Sequence, residues 1–103
     1  MTKIYIYKKN DLFTGFELDG HTEKEILCAA ISTATQMTVL GIKDELKLKP
    51  KVIVGDGYLK MTIREKDIAN DKVQLLMKTC YDSLTQIIKN EKKYVKLEVK
   101  EDV

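Results

Sequence analysis

The sequence holds one histidine, His21, and two cysteines, Cys28 and Cys80. In "GHTEKEILCAAIS", residues 20–32, the histidine stands seven positions before the first cysteine, at what reads as the start of a helix. A thiol beside an imidazole is a minimal set for nucleophilic catalysis, because the imidazole takes the thiol proton and leaves a thiolate. A helix start adds unpaired backbone N–H groups and the positive end of the macrodipole, both of which favour the anion. The plain alternative for Cys28 is a small side chain on a lightly packed or interface face. For His21 it is a surface imidazole just after a strand. Metal ligation is not indicated, since one His and two distant Cys lack zinc-site spacing. "GDG", residues 55–57, reads as a turn, and no Gly-x-x-x-x-Gly-Lys-Ser/Thr run is present to cradle a phosphate. No cofactor is expected.

The elements around the pair decide whether it can meet. "KIYIYKK" sets Ile4 and Ile6 against Tyr5 and Tyr7, as a strand does. "NDLFTGFELDG" opens on a turn at Asn10-Asp11 and puts Phe16 and Leu18 on one face of a second strand, so a hairpin is predicted. A helical pattern follows over about residues 24–46, interrupted only by Gly41. Two short β-rich runs then flank Asp56-Gly57, a pair suited to a tight turn. A second helix is predicted over 71–90, with Asp71 and Gln74 at capping-box spacing. "KYVKLEVK" reads as a final edge strand. The order is ββαββαβ. It implies an α+β, two-layer fold, a mixed β-sheet with two main helices on one face. No linker or repeat divides the chain, and residues 1–103 read as a single domain.

Helical phase separates the two thiols. At ~100° per residue, Ile26, Leu27, Ala30, Ile31, Ala34, Met37 and Gly41 form the expected inner face of the first helix. Cys28 lies off that face with Ser32, Thr35 and Val39. In the second helix Val73, Leu76, Met77, Cys80, Leu84, Ile87 and Ile88 share one stripe, so Cys80 reads as a small core hydrophobe. The Cys28–Val39 side is small and neutral in a chain that is 33% charged. A solvated helix face normally carries charge, so a second copy, or other parts of the same chain, should cover it.

Eighteen bases face sixteen acids, a formal net charge of +2. That balance gives no reason to expect direct nucleic-acid binding. The lysines of "LKLKPKV" and "KNEKKYVK" read as solvated faces, and a binding patch would need them to converge in space. No apolar run reaches the ~20 residues of a membrane span, and the first residues lack a signal-peptide h-region. Two unpaired thiols then fit a reducing, cytoplasmic setting.

The string Gly20-His21, then Ile26-Leu27-Cys28-Ala29-Ala30-Ile31-Ser32, resembles the bacterial ribosomal-processing cysteine proteases called Prp. There a Gly-His pair ends the second strand and a helix opens on a Cys-Ala-x-x-Ser pattern. "NDKVQLLMKTCYDSLTQI" is similar to the family's second helix, and the element order agrees over nearly the whole chain. The resemblance implies a cysteine endopeptidase that removes the N-terminal extension of a large-subunit ribosomal protein. It implies His21 as base and Cys28 as nucleophile, with Glu25 in place of the usual Asp before the cysteine, Ser32 at the nearby serine, and a homodimer. One departure stands out: "TEKE" replaces a longer, glycine-containing mobile loop between His and Cys. The alternative is therefore a catalytically degenerate member that binds the ribosomal precursor or another partner.

Two helix starts are open. A Thr22 cap with Glu25 completes a capping box but puts Cys28 about 9 Å up the axis at ~1.5 Å per residue. A Glu25 cap puts Cys28 at the third helical position, among unpaired N–H groups, although Glu caps poorly.

Overall fold

The computed structural model describes residues 1–101. Strands β1 (Thr2–Lys9) and β2 (Leu12–Asp19) form the expected hairpin. Its turn residues Asn10 and Asp11 both take positive φ, 51° and 67°, the conformation that matches the twist of a two-residue hairpin. Helix α1 (Glu25–Leu40) continues into one π-helical turn, Gly41–Glu45. Next come β3 (Lys51–Gly55), β4 (Tyr58–Thr62), a short 3-10 turn, helix α2 (Asp71–Ile87) and β5 (Val95–Glu101). The sheet order is β3-β4-β2-β1-β5, with β5 parallel to β1 and every other pair antiparallel. The α+β class and the ββαββαβ order are as the sequence predicts, and β5 is an edge strand. The α1 crossover joins β2 to β3 past the intervening β4.

Alternation along the strands builds the core. Ile4, Ile6, Phe16, Met61 and Val95 point to the helical side and are buried. On the open side Tyr7 and Tyr58 donate to the Glu17 carboxylate at 2.6 and 2.5 Å. In α2 the expected stripe is in place, with Val73, Met77, Cys80 and Leu84 buried. A β-carbon at Gly41 would lie 3.0 Å from the Leu76 side chain, so the missing side chain lets the end of α1 approach α2.

Four expectations need correction. First, α1 is rolled by roughly 80° from the predicted phase at ~100° per residue. Its buried residues are Leu27, Ile31, Thr35 and Thr38, while Ile26 is 88% and Met37 66% exposed. The cause is back-bonding: Thr35 and Thr38 donate to the Ile31 and Ala34 carbonyls, each at 2.9 Å. Their hydroxyls are satisfied inside the helix, and their methyl sides pack like valine. Second, Cys28, Ser32, Thr35 and Val39 do not form one face for a second copy to cover: Thr35 is buried within its own chain, and Cys28, Ser32 and Val39 line a cleft. Third, α2 is capped by Asn70, whose Oδ1 accepts from Lys72 N at 2.8 Å and Val73 N at 3.2 Å. Gln74 instead turns to β2, accepting from Phe13 N and donating to Phe13 O, both at 2.8 Å. Asn and Asp cap about equally well, and Asn70, with its extended backbone, stands just before the first helical residue, Asp71. Fourth, α2 ends at Ile87, short of the predicted 90, whereas the first helix runs over Glu25–Glu45, close to the predicted 24–46, with a π-helical last turn from Gly41.

The continuous helix Glu25–Glu45 has the length and apolarity of a membrane span. Its Leu27, Ile31 and Ile42 side chains, however, belong to the hydrophobic core cluster and Thr35 is fully buried, which is the role of a core helix in a folded domain.

Candidate active site

Neither predicted helix start is observed. Lys24 occupies the cap position with extended backbone, φ −87° and ψ 102°, and among the described residues no side chain caps α1. Glu25 is the first helical residue and Cys28 the fourth. The Cys28 amide makes the first hydrogen bond of the helix, to Lys24 O at 3.0 Å. Thr22 caps nothing, and its hydroxyl accepts from Lys24 N at 3.5 Å. The thiol sits at the edge of the first turn, half-buried, next to the N–H groups that a helix start leaves unpaired.

The short loop holds the sulfur directly. Thr22 N donates to Cys28 Sγ at 3.5 Å, and Sγ donates to Thr22 O at 3.4 Å. His21 rests on the other wall. Gly20, with φ 94°, turns the chain out of β2 and donates to Gly57 O at 2.8 Å. The imidazole then lies over Gly57, so close that a β-carbon there would be 2.6 Å from Nε2. Gly57 also takes φ 64°, so the β3–β4 turn needs glycine for its backbone as well as for this seat. The His21 Nε2 is 3.6 Å from Asp56 Oδ1, in an exposed pairing.

His21 and Cys28 line one cleft of about 640 Å³ between α1 and the inner edge of β2, β4 and β3. Among the described residues its walls carry no Lys, Arg, Asp or Glu; Leu18, Val39, Val52, Val54 and Leu59 dominate. Ser32, one turn after Cys28, lines the same cleft, and its Oγ accepts from Gln36 Nε2 at 2.7 Å. Glu25 does not reach it. It borders a second cavity on the α2 side with Lys24, Ile26, Ile87 and Glu91. The sequence-predicted pair and Ser32 are thus brought together, and Glu25 is placed apart. Cys80 is far from this chemistry: it is buried, and burial raises its pKa above the ordinary value for a thiol. Among the described residues no three His, Cys, Asp or Glu side chains converge as metal ligands would.

Sequence reasoning missed three features: the Thr22 backbone as partner of Sγ, the Gly57 seat of His21, and the Lys24 contact with Glu91. Backbone partners leave no residue-type signal. The only available hint was the two-residue turn Asp56-Gly57, whose distance from His21 in the sequence hides their contact in space.

The family model for cysteine protease Prp matches residues 1–96. The chain belongs to this family of cysteine proteases. No curated protein matches it in sequence. Among solved structures, SMU.848 from Streptococcus mutans superposes with a TM-score of 0.88 at 23% identity, covering 99% of each chain. The essential ribosomal processing protease Prp from S. aureus, with a covalently linked product peptide, gives 0.86 at 25% identity over 97% of this chain and 100% of that one. The same protease with a substrate peptide gives 0.84 at 24% identity, with the same coverage. The likeness spans the whole Prp fold, and the cysteine-protease role fits a thiol and an imidazole facing one uncharged cleft.

Proposed function

We propose that this Prp-family chain is a cytoplasmic cysteine endopeptidase that removes the N-terminal extension of a large-subunit ribosomal protein precursor. The observation that carries this reading is His21 and Cys28 on facing walls of one uncharged cleft, with the thiol at a helix start. Support also comes from the S. aureus relative, which holds a substrate peptide in one structure and a covalently linked product peptide in another.

In this reading His21 leaves its seat on Gly57 and takes the proton from Sγ. The sulfur anion attacks the scissile carbonyl, and a C–S bond forms. The peptide C–N bond then breaks, with the imidazolium giving its proton to the leaving amine. Water hydrolyses the thioester and restores the thiol. The cleft suits an extended segment with apolar or neutral side chains, because charged ones would lose water there without gaining a partner. Ser32 supports the wall beside the sulfur.

A second reading is a binding module without turnover. It is favoured by the resting geometry, in which Sγ is engaged by Thr22 and the imidazole rests on Gly57. One assay separates the two: incubation with a peptide carrying the host ribosomal protein's N-terminus. The endopeptidase predicts a single cut by the wild type and none by Cys28→Ala or His21→Ala. Tight binding without any cut by the folded wild type would overturn it.

The active assembly in this proposal is a homodimer. The ridge of α1 formed by Ile26, Ala29, Thr33 and Met37 is exposed and uncharged, and a second copy would cover it.

A further inference from the structure

Helix α1 begins without a side-chain cap, yet its first turn and the preceding loop must hold Cys28 to a fixed place. An uncapped start leaves N–H groups unpaired and prone to fray. Here the loop is fastened from outside the cleft. The Lys24 ammonium meets both Glu91 carboxylate oxygens, at 3.0 and 2.9 Å, and lies 4.9 Å from the centre of the Tyr94 ring. The anchor is rigid. Glu91 N donates to Ile88 O at 2.9 Å, Val95 N donates to Glu91 O at 3.0 Å, and Thr2 N donates to Tyr94 O at 3.1 Å. Val95 is a core residue.

From Lys24 two short paths lead to the sulfur. Its carbonyl accepts the Cys28 amide, and its own amide donates to the hydroxyl of Thr22. Thr22 in turn grips Sγ through its backbone N–H and carbonyl. Lys24 itself does not line the cleft. An exposed ion pair adds little to stability, but a two-point carboxylate contact under an aromatic ring restricts the lysine to one geometry.

We propose that Lys24 is a positioning residue for Cys28, the Glu91–Tyr94 clamp holding residues 22–24 so that the Thr22 amide stays on the sulfur. This rests on reading Cys28 as the nucleophile. In this chain the short loop is then a fixed ledge, and its rigidity is supplied by the α2–β5 link.

The test uses the full chain as wild type, Lys24→Met, Lys24→Arg, Glu91→Gln and the Lys24→Met/Glu91→Gln pair. Brief iodoacetamide treatment at neutral pH, read by mass spectrometry, gives the Cys28 rate with buried Cys80 as internal reference. Wild-type Cys28 should label well ahead of Cys80. Lys24→Met and Glu91→Gln should each slow Cys28 roughly five-fold, the scale of one lost ordinary hydrogen bond to the sulfur. The double variant should be no slower than either single, Lys24→Arg should restore the rate, and the thermal midpoint should hold. On a cleaved peptide, kcat should fall while KM holds, since Lys24 touches no substrate. Unchanged or faster Cys28 labelling in Lys24→Met would overturn the clamp, as would losses that add in the double variant. So would a slower rate accompanied by a fallen midpoint and newly labelled Cys80. A wild type that never cuts peptide counts against the endopeptidase alone, because the labelling comparison needs no turnover.

Discussion

At the scale of single residues, the site shows a division of labour between side chains and backbone. The groups proposed to carry the chemistry are two side chains, but the atoms that hold the sulfur are the N–H and C=O of Thr22. Any residue type but proline offers those atoms at position 22, so composition says almost nothing about them. On the opposite face of the sheet a side-chain network does the holding. Glu17 accepts hydroxyls from Tyr58 and Tyr7, and these bonds, Tyr58 first, lower its pKa below the ordinary 4.5. A carboxylate whose native pKa is depressed stabilises the fold above its unfolded pKa, and loses that contribution as pH falls through the native value. Glu17→Gln should therefore cost about 1 kcal/mol at pH 7, the low end for bonds to a charged acceptor because the site is open to water. The difference from wild type should close as the pH drops below 4.5, the ordinary value for Glu. Urea denaturation across that range checks it, and a gap that persisted undiminished into acid would be the wrong sign.

At the scale of elements, the strands and the face of α2 were legible and the face of α1 was not. Period-2 alternation in "KIYIYKK" and the turn pairs Asn10-Asp11 and Asp56-Gly57 gave the hairpins, because strand faces and tight turns are set by adjacent residues. Helix α2 was equally clear, since charged residues mark its solvent side. Helix α1 runs from Ile26 to Gly41 without a charge, so nothing marks its outer face, and threonines that bond their own helix passed for polar surface. Thr35 is the sharp case. Its hydroxyl is fully served by the Ile31 and Ser32 carbonyls. Thr35→Val should then be tolerated within about 1 kcal/mol, because no partner outside the helix loses a bond. Thr35→Glu should unfold the domain, since a buried unpaired carboxylate costs several kcal/mol, on the order of the whole stability of a small domain. Thermal melts of the two variants separate this from the surface placement that residue type alone suggests.

At the scale of the whole molecule, one layer of helix on one sheet leaves a surface that the rest of the composition does not explain. The chain is 33% charged, yet the outward ridge of α1 carries Ile26 and Met37 at 88% and 66% exposure with no charge between them. These positions lie three turns apart on one side of the helix, so they form a continuous strip. Apolar strips of this kind mark contact surfaces more often than solvent faces. Ile26 and Met37 do not line the cleft that holds Cys28, so a second copy seated on those two side chains leaves the cleft open to a peptide. That geometry yields the expected outcome of the Ile26→Glu/Met37→Glu double variant. Both side chains are already in solvent in the single chain, so the fold should survive with its thermal midpoint nearly intact. In a dimer the two carboxylates would be desolvated against an apolar partner surface, at a cost of several kcal/mol. Light scattering should therefore read twice the chain mass for the wild type and the chain mass for the variant, while the Cys28 labelling rate stays the same. A wild type that is monomeric at all concentrations, or a variant that keeps the doubled mass, would show that the ridge is not where copies meet.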